Sequence, residues 1–65
     1  MESVLETRKD RLRQLEAIAL PMMKEGKDLV QIKTRLVEYA RRTWRVSRLT
    51  AIDYAELVVL YLTHK

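Results

Sequence analysis

One glycine, one proline and no asparagine punctuate this chain. Those three residues make most tight turns, because they set or tolerate the backbone angles a turn requires. A chain of 65 residues with so few of them is expected to fold into a small number of long helices. Gly26 marks one helix end, since glycine alone takes positive φ without a steric cost. Pro21 lacks a backbone donor and disfavours helical geometry at Leu20. The first helix therefore either ends near Leu20 or kinks and continues through Met22–Lys24.

Capping signals divide the rest. Ser3-Val4-Leu5-Glu6 fits a capping box that opens helix 1, over residues 3–20 or 3–24. Asp28-Leu29-Val30-Gln31 is a second candidate, opening helix 2 over residues 28–44. Arg45-Val46-Ser47 makes a short break, with Ser47 a good N-cap for helix 3 over residues 48–63. Apolar residues then recur at helical steps. In helix 1 the stripe is Leu5, Leu12, Leu15, Ala19 and Met22. In helix 2 it is Leu29, Ile32, Leu36, Tyr39 or Ala40, and Thr43 or Trp44. In helix 3 it is Ala51, Ala55, Val58 and Leu62, widened by Ile52, Tyr54 and Val59. The expected fold is all-α, a three-helix bundle in one domain.

Helix 3 is apolar nearly all round. Leu49, Leu57 and Leu60 fall on or near its polar side, beside Asp53 and Glu56. Such a helix is either buried or shared with a partner. Leu49, Leu57, Leu60 and Tyr61 are therefore the expected protein interface, in a homodimer or a larger complex.

A net charge of +4 favours nucleic acid or an acidic protein over an acidic substrate. The charge is uneven: residues 39–52 hold Arg41, Arg42, Arg45 and Arg48 and no acid. Arg8, Lys9, Asp10, Arg11 and Arg13 lie mostly off the helix 1 stripe and read as a solvated face, or alternatively as a face that tracks a nucleic-acid backbone or contacts a partner. Trp44, Tyr39 and Tyr54 suit packing rather than stacking on bases. Met22 and Met23, beside Pro21, read as adaptable core filler.

Catalytic chemistry finds no support. The single histidine, His64, stands one residue from the end of the sequence. There is no cysteine, so neither a disulfide nor a thiolate metal site is expected. One glycine makes no phosphate-cradling loop. No enzyme activity, cofactor, metal or small-molecule substrate is expected. No apolar run reaches the roughly 18 residues a membrane helix needs, and residues 1–10 lack a signal-peptide pattern. A cytoplasmic protein without a membrane partner is the expectation.

Residues 25–54 resemble the helix-turn-helix of phage terminase small subunits and resolvase-like regulators. Gly26, Ile32, Val46, Ser47, Thr50 and Ala51 carry the resemblance. Arg45 stands at the turn position that such proteins often fill with glycine. The resemblance implies double-stranded DNA as partner, with the start of helix 3 at base edges in the major groove. Ser47, Arg48, Leu49 and Ile52 would then lie at the groove, with Arg48 matched to guanine and Leu49 or Ile52 to a thymine methyl. Lys33, Arg41, Arg42 and Arg45 would hold phosphates. Asp53 and Glu56 oppose this arrangement by repelling phosphate. The alternative function is a small helical accessory subunit that docks through helix 3 onto a replication or transcription assembly.

Overall fold

The computed structural model describes residues 4–64, with side chains from Thr7 onward. Three helices follow one another: α1 Val4–Lys24, α2 Leu29–Trp44 and α3 Arg48–Thr63. The expected Ser3–Glu6 capping box and the place of Leu5 in the stripe lie outside the described residues.

α1 does not stop at Leu20; it runs through Pro21 to Lys24. Pro21 cannot donate to the carbonyl of Ala17, four residues earlier. Both residues are exposed, so water can take the place of the missing donor. The helix ends instead at Gly26, which has φ +80°. Lys27 N donates to Met22 O at 3.0 Å and Gly26 N to Met23 O at 3.1 Å. This bond pair around a left-handed glycine is a Schellman motif, and it reverses the chain.

α2 opens on the expected box. Asp28 accepts from Val30 N at 3.4 Å, and Gln31 Oε1 accepts from Asp28 N at 3.2 Å. α2 ends at Arg45, whose φ of 52° and ψ of 34° are left-handed. At α3, Ser47 Oγ accepts from Thr50 N at 3.2 Å.

The helices run up, down and up. Arg11, in the first half of α1, lies against Trp44 at the end of α2 and Tyr54 early in α3. Lys33 shares a groove with Val59, Leu60 and Thr63. Arg41, two turns further along α2, shares one with Arg48 and Ile52. α2 and α3 therefore pack antiparallel along most of their length. The molecule is elongated, 39 × 23 × 16 Å.

Each helix supplies one stripe to the core. Leu15, Ile32 and Leu36 are its largest fully buried side chains, each contributing about 1.5–3 kcal/mol relative to an exposed position. Ala19, Ala40, Ala51 and Ala55 are buried to 1% exposure or less. With only a methyl group at these points, the helix backbones can come close. Val58, Val59, Tyr54 and Leu62 complete the α3 face.

Two expectations need correction. Leu29 is 43% exposed rather than part of the core. It is the first residue of α2, at the end of the antiparallel pair where α3 stops at Thr63. Arg11 is half-buried, not part of a solvated face. Its guanidinium carbon sits 5.2 Å from the Trp44 ring centroid, and its Nη1 donates to Tyr54 Oη at 3.2 Å.

Candidate functional site

The turn between α2 and α3 concentrates positive charge. α2 ends with Arg41 and Arg42 in its last turn, the turn adds Arg45, and α3 begins with Arg48. All four side chains are exposed. None is engaged in an ion pair or side-chain hydrogen bond among the described residues. Four guanidinium groups within eight residues repel one another, which raises their affinity for an external anion.

A rigid frame holds this corner. Trp44 stacks edge-on against Tyr39, with centroids 5.7 Å apart, and against Tyr54, 6.1 Å apart. Arg11 covers its ring from α1. Val46 packs against the core from the turn itself. The three aromatic rings are thereby engaged with one another and do not form a free stacking surface.

Ser47 has a structural task. Its Oγ accepts from Thr50 N and donates to Thr50 Oγ1 at 3.0 Å. The hydroxyl hydrogen is spent within the cap, although the residue remains exposed. Leu49, by contrast, is 80% exposed and stands beside Arg48 on the first turn of α3. Ile52 is half-buried and turns toward α2.

A groove of about 380 Å³ runs between α2 and α3. Val37, Ile52 and Ala55 supply its apolar lining; Lys33, Glu38 and Arg41 line it from α2, and Arg48 and Glu56 from α3. Mixed charge makes this groove a poor seat for a polyanion, and Glu38 also borders Arg41 and Arg42 at its arginine end. Lys33 lies two turns from that end and also lines the next stretch, beside Glu56 and Leu60. The expected site residues thus fall into two groups. Arg41, Arg42, Arg45, Arg48 and Leu49 gather at one corner, while Lys33 and Ile52 belong to the α2–α3 groove.

The exposed side of α3 carries the expected interface residues. Leu60 is 54% exposed, Tyr61 61% and Leu57 37%. Leu57, Leu60 and Tyr61 fall three and four residues apart, so they adjoin on the helix surface. Leu49 stands about two turns or more from them, with Asp53 and Glu56 between.

Among the described residues, no group of histidine, cysteine, aspartate and glutamate could hold a metal ion. No helix among them is long and apolar enough to cross a membrane. Arg11 is the site-framing residue that the sequence reading missed. The signal was available: Arg11 precedes Leu15 by four residues and Ile18 by seven, which places it beside the apolar stripe.

No protein-family model matches the chain, and no curated protein or solved structure matches it. What stands is an all-α bundle of three mutually packed helices.

Proposed function

We propose that this protein binds double-stranded DNA at the α2–α3 corner. The observation that carries the reading is the set of four exposed, unpaired arginines on a turn braced by Trp44. Arg41, Arg42 and Arg45 hold phosphates, and the first turn of α3 enters the major groove, in the manner of a helix-turn-helix. Arg48 meets guanine and Leu49 a thymine methyl. Asp53 and Glu56 are both exposed further along the helix, so contact is confined to the first turn. Reading by so few side chains gives modest sequence preference and strong salt dependence. The interlocked aromatic rings favour a duplex over a single strand, since single-strand binding relies on free aromatic faces.

Single substitutions test the division of labour. Arg48→Ala is expected to weaken binding to a preferred site by about 1–3 kcal/mol and to relax the preference. Arg42→Ala should weaken all sequences alike and flatten the slope of log affinity against log salt by about 0.9. Unchanged DNA affinity in both variants sinks the proposal.

The exposed Leu57, Leu60 and Tyr61 favour a second reading, an accessory subunit or homodimer that docks through α3. Under it, Leu60→Asp abolishes complex formation in sedimentation or pull-down while circular dichroism stays helical. A complex that survives the aspartate removes this reading.

A further inference from the structure

The outer face of α3 carries a stripe that is complementary to its own reverse. Asp53, Leu57, Leu60 and His64 follow one another at steps of four, three and four. Around the helix they fall within about 60° of one another. His64 is the C-cap of α3, so its Cα still follows the helical path. All four side chains are exposed, Leu57 to 37% and Leu60 to 54%. Neither Asp53 nor His64 makes a side-chain hydrogen bond or ion pair among the described residues. An acid thus stands at one end of the stripe, an imidazole at the other, and two leucines in the middle. Glu56 lies about 70° to one side of the stripe, where it lines the α2 groove. Tyr61, 61% exposed, lies about 70° to the other side.

We propose that this stripe is a homodimer interface, in which the α3 helices of two copies pack antiparallel. The inference rests on the reading that α3 docks a partner, and it names a second copy as that partner. A twofold interface brings one surface patch against itself, so the patch must be self-complementary. An antiparallel pair centred between Val58 and Val59 meets that demand. Leu57 then lies opposite Leu60 of the second copy, and Asp53 opposite its His64, each pairing made twice. A ring N–H of His64 donates to the carboxylate whether the imidazole is neutral or charged. Twofold symmetry keeps Tyr61 on the same rim in both copies, where its ring covers the other copy's Leu57. A pairing shifted toward the start of α3 fails the demand. Centred between Tyr54 and Ala55, it joins Leu49 to Leu60 but sets Asp53 against Glu56, acid on acid, in the middle. In the favoured register both arginine corners stay free, with the two Arg48 residues about 30 Å apart along the pair.

Sedimentation equilibrium of the full chain, over a micromolar-to-millimolar series, tests this. A contact between two helix faces is small beside the roughly 1,200–2,000 Å² of a stable interface, so the wild type is expected to pass from monomer to dimer within that range. Asp53→Lys and His64→Asp should each weaken the dimer about 3- to 30-fold, because symmetry counts each change twice. The double variant reverses the pair and restores most of the loss. Leu60→Asp abolishes the dimer. Glu38→Lys, the same charge change as Asp53→Lys but at an exposed site on α2, leaves it nearly unchanged. Circular dichroism confirms that each variant keeps its helices. A dimer that Leu60→Asp abolishes but the charge reversal does not restore overturns the pairing and leaves docking through α3 standing. A dimer that survives Leu60→Asp overturns both. If Glu38→Lys weakens the dimer as much as Asp53→Lys, net charge rather than a pair is at work and the proposal fails. A wild type that stays monomeric throughout overturns the second copy as partner, and the pull-down with Leu60→Asp then decides the docking reading by itself.

Discussion

At Arg45 two demands on one residue conflict. Its left-handed backbone costs an L-residue roughly 1–2 kcal/mol, and glycine would avoid that cost. An arginine there supplies charge at the corner where three other arginines gather. Glycine loses more freedom on folding, which offsets part of the relief. Arg45→Gly is therefore expected to raise the unfolding free energy by about 0.5–1 kcal/mol in urea titration and to weaken duplex binding at the same time. A variant that is less stable, or that binds DNA unchanged, contradicts this account of the residue. The position was legible as a departure from a glycine turn, but its backbone sign was not, because φ follows from how α2 and α3 meet. Arg11 was less legible still. A basic run on a helix usually faces water; spacing to Leu15 puts Arg11 beside the stripe, but only the packed position of Trp44 and Tyr54 shows what it meets there.

At the scale of the element, caps did most of the work. Asp28, Gln31 and Ser47 make the bonds their positions imply, and Gly26 ends α1. Local chemistry of this kind is readable because each bond joins residues two to five apart. Pro21 left two outcomes open, since local rules give its cost but not what outweighs it. Met22 and Met23 pack against the core beyond it, and that packing carries the helix past the break. Pro21→Ala is accordingly expected to stabilise the fold by about 1–2 kcal/mol, the restored helical bond less the greater freedom of the unfolded chain. Thermal unfolding followed by circular dichroism checks it. A lowered melting temperature would mean that the proline stabilises the end of α1 by some other route. Leu29 shows the limit of periodicity, which marks a face but not where the neighbouring helix ends.

At the scale of the whole molecule, three helices were readable from the stripes and their faces. Their mutual arrangement was not. The up-down-up order decides which charges share an end, and it joins the first half of α1 to the α2–α3 corner. It also leaves Leu57, Leu60 and Tyr61 uncovered. Sequence spacing identified these residues as off the core face, but not what meets them. A small bundle of this kind buries only a modest core. Leu36→Ala, at a site with no exposure, should cost about 2–5 kcal/mol and abolish the cooperative thermal transition; a melting curve like the wild type's would show that Leu36 is not central to packing.

The most direct test of the central claim is the affinity of the unmodified protein for a random duplex at about 50 and about 200 mM salt. Three phosphate contacts at the corner predict measurable binding at the lower concentration and a loss of about 40-fold at the higher. No binding at low salt would contradict the claim and leave the arginines to an acidic protein surface.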